Sequence, residues 1–284
     1  MPTPILHDGR VRVFLSGRDA AGRSLPFWVD LDSDDLSVLD RSSAALFSLG
    51  APGTFDEDGV MPSSVVRRKD GSLLMYYVGW NRSSGSVPYR VAIGCAESED
   101  GQSFRRISNG PVLDRTSMDP IFVTTPFVVS EPWTMWYSTC TRWETVDGRL
   151  EPFYGLARAT SPDGTSWFAR TQVETSLDAD AIARPAILES DDGQLILFCH
   201  RRAEGYRIQP EASYKLALGR LGADRVETVV DDLKIDDGGL STEMCCYPAT
   251  LRIKGRTLLL YNGDGFGHSG VGAAWIDDLD VWSK

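Results

Sequence analysis

Four carboxylates recur through this chain at nearly constant spacing: Asp58, Asp119, Asp180 and Glu243, separated by 61, 61 and 63 residues. Carboxyl groups gathered in one partly desolvated place can do acid–base work, because burial and neighbouring like charges hold one protonated while another stays ionised. Cleavage of a glycosidic bond needs that asymmetry: an acid for the leaving oxygen, and a base or nucleophile across an oxocarbenium-like centre. A second set of residues recurs with the same rhythm: Arg18 and Asp19, Trp80 and Asn81, Arg142 and Trp143, Arg201 and Arg202, Asn262 and Asp264. Guanidinium and carboxylate groups take up hydroxyls, and exposed tryptophans cover the apolar faces of sugar rings, so the combination suits a polyhydroxylated ligand. Arg18, Trp80, Trp143, Arg184, Arg201, Tyr247, Asn262, Asp264 and His268 form the candidate binding set. The plainer alternative for each acid is a turn residue, since Asp ahead of a strand is ordinary loop chemistry.

The elements that must position these residues follow from an internal repeat. Five apolar strings, RVRVFLSGRD, SLLMYYVGWN, WTMWYSTCTR, QLILFCHRRA and TLLLYNGDGF, align at Leu15, Tyr77, Tyr137, Phe198 and Tyr261, with spacings of 62, 60, 61 and 63. A proline opens a short β-rich run before each, at Pro4, Pro62, Pro126, Pro185 and Pro248, and S-x-D-G turns follow at Ser98 and Ser161. The runs are short, rich in β-formers and bounded by Gly, Asp and Ser turn signals, with no sustained helical period. Four antiparallel strands per unit, repeated five times, predict an all-β fold: one domain over 1–284, a five-bladed β-propeller with blades near 1–53, 54–118, 119–178, 179–241 and 242–284. The tail DLDVWSK is expected to supply the last outer strand.

In a propeller the start of each first strand, the end of the second and the start of the third share one face. The acidic and binding sets then meet around one end of the central channel. The S-x-D-G turns fall on the other face as structural devices, their aromatic residue clamping the blade. Trp136 and Trp167 read as packing between blades, and Trp80 and Trp143 as site residues. Arg184, directly before Pro185, points near the channel, where a buried guanidinium would need a carboxylate such as Asp178 or Asp180.

Composition excludes several classes. Forty acidic against twenty-nine basic residues give a net charge of −11 over 284 residues, which argues against nucleic acid and anionic membranes as partners. No stretch approaches the ~20 apolar residues of a membrane-spanning helix. The start MPTPILHDGR lacks the pattern of a secretory signal, so a cytoplasmic location is expected. Five scattered cysteines, Cys95, Cys140, Cys199, Cys245 and Cys246, form no disulfide framework. The three histidines, His7, His200 and His268, are too dispersed to suggest zinc.

With the acid-then-proline pattern and the S-x-D-G-x-[ST]-[FW] turns in place, the chain resembles the five-bladed propeller superfamily of arabinanase-, levansucrase- and invertase-like glycoside hydrolases. GTFDEDGVMPSSVV, YYVGWN, IARP, EMCCYP and YNGDGFG are similar to an uncharacterised branch often associated with bacterial surface-polysaccharide gene sets. The resemblance implies three carboxylates in a funnel: Asp58 as base or nucleophile, Glu243 as acid, and Asp119 or Asp180 orienting them. It departs from the family at Met118, where Arg is expected, and at Glu243, which Met244 rather than Cys follows. No cofactor is expected. A calcium-type ion near His268 is the secondary alternative that the resemblance raises, and its hard-cation chemistry would call for oxygen ligands. The function expected is hydrolysis of a glycosidic bond in a carbohydrate or sugar conjugate. The alternative is a non-catalytic or non-hydrolytic carbohydrate-binding propeller in polysaccharide biosynthesis.

Overall fold

The computed structural model describes residues 1–190 and 193–276. Within them the chain is all-β apart from one short helical segment, α1 (Asp264–Gly267). The strands run as successive antiparallel meanders. The first comprises β1 (Thr3–His7), β2 (Arg10–Arg18), β3 (Ser24–Leu31) and β4 (Val38–Arg41). The second comprises β5 (Gly59–Arg67), β6 (Leu73–Arg82), β7 (Tyr89–Ser98) and β8 (Arg105–Arg106). The third comprises β9 (Phe122–Ser130), β10 (Trp133–Val146), β11 (Arg149–Thr160) and β12 (Phe168–Thr175). The fourth comprises β13 (Ala181–Ser190), β14 (Gly193–Arg201), β15 (Lys215–Leu221) and β16 (Arg225–Val230). Then come β17 (Cys246–Ile253), β18 (Arg256–Asn262) and β19 (Val271–Ile276). The tail expected to add a closing strand lies outside the described residues.

Local chemistry accounts for these elements. The second strands carry near-continuous apolar runs, such as LLMYYV in β6 and LLLY in β18, because both of their faces are buried. β3 instead buries every second residue, as a strand with one wetter face should. Three hairpins close on two-residue turns, Asp8-Gly9, Asp147-Gly148 and Lys254-Gly255, whose paired positive φ values match the twist of the flanking strands.

The core is divided between neighbours. Phe14 and Trp28 pack with Tyr77 and Phe104; Tyr76 and Ile93 with Tyr137 and Trp167; Trp136 and Leu156 with Ile196 and Phe198; and Leu197 and Leu216 with Leu259 and Tyr261. Val11 and Val13 of the first meander pack with Leu258 and Leu260 of the last. Each apolar layer thus joins consecutive meanders, and the final one returns to the beginning.

The S-x-D-G turns lock adjacent meanders. Asp100 accepts the amides of Gln102 and Ser103, and Asp163 those of Thr165 and Ser166. The glycine carbonyl in each turn then accepts from the preceding meander, Gly101 from Arg12 at 3.0 Å and Gly164 from the Tyr76 hydroxyl at 2.6 Å. Phe104 and Trp167, closing the two turns, meet Phe14 and Tyr76 edge-on.

One irregularity recurs in the first strands. Thr125–Pro126, Arg184–Pro185 and Tyr247–Pro248 each bulge opposite a single residue of the next strand. In β5 the bulge pair is Pro62–Ser63, so the landmark proline stands one place earlier there than in its counterparts. Thr125, Arg184 and Tyr247 take φ of 46°, 56° and 55°, a left-handed backbone that L-residues adopt at a cost of roughly 1–3 kcal/mol each.

Candidate functional site

Register places three of the four expected acids equivalently. Asp58 and Asp180 each precede the first paired residue of their strand and carry the same bonds. The carbonyl of Asp58 accepts the Ser24 amide and that of Asp180 the Tyr154 amide. Their carboxylates accept the amides of Arg82 at 2.7 Å and Ala203 at 2.8 Å, two residues beyond the strand pair in both cases. Asp58 also holds the Arg82 guanidinium at 2.8 Å. Counted from the first residue of the bulge, Glu243 lies four places before Tyr247, as Asp58 lies before Pro62 and Asp180 before Arg184, but there the capping is reversed. Asp264 accepts the amides of Thr242, Glu243 and Met244 and the Thr242 hydroxyl. Burial works to raise the Asp264 pKa, yet the amide bonds prevail and hold it below the usual carboxylate range. The Glu243 side chain is exposed, not enclosed by its apolar neighbours.

Asp119 is not part of that ring; its expected equivalence is corrected by the register, in which Ile121 lies four places before the bulge residue Thr125 and Asp119 lies six. Asp119 is 1% exposed and accepts the Tyr137 hydroxyl at 3.2 Å, with Arg170 at 2.7 Å. The same device appears at Asp56, which the spacing argument overlooked: it is fully buried and accepts Tyr77 at 3.0 Å and Arg106 at 2.8 Å. Asp237 likewise accepts Tyr261 at 3.0 Å. Burial pushes all three phenols well above their ordinary pKa, so each remains a donor to its aspartate. Where the repeat has Phe198 instead of Tyr, Leu177 and Ala179 pack there and no acid is supplied. These aspartates answer buried hydroxyls, and the tyrosines at the repeat's central position were the signal that could have found them.

Arg184 departs furthest from expectation. It is 2% exposed and meets no carboxylate among the described residues; Asp178 pairs with Arg202 at 2.9 Å and Asp180 caps Ala203. Its guanidinium instead donates to the carbonyls of Pro2, Ser63 and Pro248 and to the hydroxyls of Thr3 and Ser63, while its backbone N–H donates to Thr125 Oγ1. Every guanidinium N–H is used, so Arg184 ties five segments together at the axis and has no donor left for a ligand. Beneath it lies a cavity of about 280 Å³ lined by Thr3, Ser63, Phe127 and Thr250, among others. The axial position already holds a cation, and among the described residues no three His, Cys, Asp or Glu side chains form a metal-binding group. The position held by Arg184 therefore does not fit the calcium-type ion raised by the resemblance, since the guanidinium already takes up the carbonyl oxygens there, and His268 stands exposed in the loop after α1.

Aromatic residues dominate the end of the molecule where the first strands begin. Tyr89, Phe122, Trp143 and Tyr154 form one chain of ring contacts, and Tyr206, Tyr214, Tyr247 and Phe266 another. The Tyr154 and Tyr214 hydroxyls join the two chains. Arg201, 2% exposed, lies over Tyr206 at 4.1 Å and donates to Tyr214 and to the carbonyls of Pro152 and Arg202. Tyr89, Trp143, Tyr154 and Tyr247 remain half-buried and Phe266 is 39% exposed, leaving ring surface open to solvent. Farther round, the guanidinium groups of Arg18 and Arg82 both lie over the Trp80 ring, at 5.8 and 5.7 Å, and its indole N–H donates to Ser24. A Cβ on Gly59 would collide with that indole, which explains glycine there. Asn262 donates to the Phe266 carbonyl and so shapes the loop instead of facing a ligand. Glu151, Tyr206, Arg207 and Tyr214 were not singled out in sequence; nothing local marks them, because the β10–β11 hairpin and the 202–213 loop bring them together.

The comparisons bear on fold and kinship. No protein-family model matches the chain. In solved structures, a glycosyl hydrolase from Bacteroides ovatus superposes with a TM-score of 0.70 at 15% identity, covering 97% of this chain and 83% of its own. A structure from the GH130 family of mannoside phosphorylases, described as containing glycoside hydrolases that target β-1,2-mannosidic linkages in Candida mannan, reaches 0.69 at 14% identity with the same coverage. An exo-1,5-α-L-arabinanase from a bovine ruminal metagenomic library reaches 0.62 at 14%, covering 96% and 91%. At these identities the likeness establishes the fold: all-β, in the manner of propeller-type glycoside hydrolases. Two uncharacterized Mycobacterium tuberculosis proteins, MT1551 from strain CDC 1551 and Rv1502 from strain H37Rv, are each 32% identical over 286 residues, spanning 98% of this chain and 92% of theirs. The chain therefore belongs to the family of MT1551 and Rv1502.

Proposed function

We propose that this protein handles a carbohydrate or sugar conjugate at the aromatic end of a single-domain, five-bladed propeller of four-stranded blades, in the manner of a glycosidase. The observation that carries the reading is the partly exposed cluster of Tyr89, Trp143, Tyr154, Tyr247 and Phe266 around the starts of the first strands. Such faces cover sugar C–H surfaces, while nearby polar groups fix orientation. Glycosidic cleavage would fall to Glu243 as acid, the one member of the expected quartet whose side chain has no hydrogen-bond or ion-pair partner among the described residues, with Asp58 or Asp180 as base. The fold shared with glycoside hydrolases supports this chemistry. A role in surface-polysaccharide metabolism and a cytoplasmic location belong to the same proposal.

One observation favours the non-catalytic alternative. Asp58, Asp119 and Asp180 each already serve an amide, hydroxyl or guanidinium of the protein itself. A screen of purified protein against aryl glycosides, nucleotide sugars and a glycan array separates the two. Turnover lost in Glu243→Gln, and lost less on nitrophenyl substrates whose leaving group needs no protonation, supports catalysis. Binding without turnover, weakened several-fold by Phe266→Ala, supports the binding protein. Neither binding nor turnover anywhere in the panel defeats both.

A further inference from the structure

The aromatic surface is flanked by a charge arrangement that the sequence reading did not single out. The β10–β11 hairpin leans on the 202–213 loop, with Gly205 donating its amide to Asp147 at 2.9 Å. Between them Glu151 is buried, its side chain 3% exposed, and it accepts the Tyr206 hydroxyl at 2.9 Å and Arg207 Nε at 2.9 Å. Arg201, almost wholly buried, stands 3.8 Å from the same carboxylate. Both guanidinium groups lie over the Tyr206 ring, at 4.1 and 4.6 Å. One negative charge is thus shared between two positive ones, and the remaining positive charge is carried outward by Arg207, whose side chain is 44% exposed.

Arg207 differs from an ordinary surface arginine in being held. Two of its nitrogens face Glu151, Nε at 2.9 Å and Nη2 at 3.4 Å, and its face rests on Tyr206. Its third nitrogen, Nη1, bonds to no other described residue, and the exposed acids of the same loop, Glu204 and Glu211, make no bond to it. A guanidinium already fixed in orientation loses little freedom on binding, and its planar fork matches a carboxylate or phosphate better than a hydroxyl. Tyr206 continues through Tyr214 to Tyr247 and Phe266, so the held guanidinium borders the aromatic surface.

We propose that Arg207 is a specificity-determining residue that selects sugar conjugates bearing an anionic group, a carboxylate or a phosphate, over their neutral counterparts. The inference rests on the sugar-handling reading above. It is tested on a glycan array carrying matched neutral, uronate-containing and phosphorylated glycans, with the full-length protein and its Arg207→Gln and Arg207→Lys variants. The wild type should bind an anionic glycan at least about tenfold more tightly than its neutral match, as expected of a charge-assisted bidentate contact. The advantage should shrink as salt rises. Arg207→Gln should abolish that ratio with far-UV circular dichroism unchanged, and Arg207→Lys should keep part of it. The uronate and phosphate arms identify which anion is selected. Equal affinity for neutral and anionic glycans, or an anionic preference untouched by Arg207→Gln, overturns this inference and leaves the sugar-handling reading standing. Binding of no glycan of any kind overturns both.

Discussion

Replacing Asp119 with alanine should damage stability before anything else. In the folded protein its carboxylate is 1% exposed and stands 2.7 Å from Arg170, a side chain only 16% exposed, while accepting Tyr137 at 3.2 Å. The substitution leaves the mostly buried guanidinium with the Asp114 carbonyl but no counter-charge, and leaves a buried phenol without its acceptor. Removing one partner of a buried ion pair costs about 3–5 kcal/mol, because the remaining charge keeps its desolvation penalty without compensation. For a chain of this size each kcal/mol lowers the melting temperature by roughly 2 °C, so a fall of about 6–10 °C is expected. Tyr137→Phe makes the milder cut: Arg170 still neutralises the aspartate, and only one neutral-to-charged hydrogen bond is lost, worth about 1.5–3 kcal/mol or roughly 3–6 °C. The double variant should fall short of the sum, since both changes act on one network. Differential scanning calorimetry of the three variants measures this directly. An Asp119→Ala protein that melts with the wild type, yet loses turnover on a substrate, would refute the structural assignment and return Asp119 to the catalytic set.

Phe198→Tyr should destabilise by about 1–3 kcal/mol in urea titration, because this repeat places Leu177 and Ala179 where the three tyrosine-bearing repeats supply an aspartate, leaving a new buried hydroxyl unpaired. Gly94→Ala should cost more than a typical surface change, since the added Cβ meets the Tyr77 ring inside a tightly packed layer; equal urea midpoints for the two proteins would count against that packing. Asp264 has a folded pKa below its ordinary 3.8, so its contribution is fully present above that value and lost as pH falls through the lower, folded one. The stability gap between wild type and Asp264→Asn should therefore be constant near neutrality and close in strong acid, and a gap that widens as pH falls from neutrality would contradict the sign. His200 is also held below its ordinary value of 6.5, here by burial and despite its 2.6 Å contact with the Asp231 carbonyl, and for a base that reverses which state takes up the proton first. The unfolded chain takes up a proton first as pH drops below that value, so His200→Gln should flatten the loss of stability with acidification just below pH 6.5, measurable by urea titrations across that range.

The repeat, its strands and its tight turns were legible in the chain because each rests on local physics. Continuous apolar runs mark strands buried on both faces, Asp-Gly marks a two-residue hairpin, and S-x-D-G folds its own amides onto one carboxylate. The equivalence of Asp58, Asp180 and Glu243 was also legible, since register follows the same period. What those carboxylates do was not. A carboxylate's role depends on which donors come within about 3 Å, and here the donors come from segments far away: Arg170 for Asp119, Arg106 for Asp56, the 202–213 loop for Glu151. Asp56, Asp119 and Asp237 lie 21, 18 and 24 residues before their tyrosines, so no fixed spacing announces them. Arg184 makes the point most plainly. Its place before Pro185 put it at the channel, but only the convergence of Pro2, Ser63, Thr125 and Pro248 decided that carbonyls and hydroxyls, and no carboxylate, would surround it. Periodicity sets where a side chain points along its own strand; the packing of distant strands sets what it meets there.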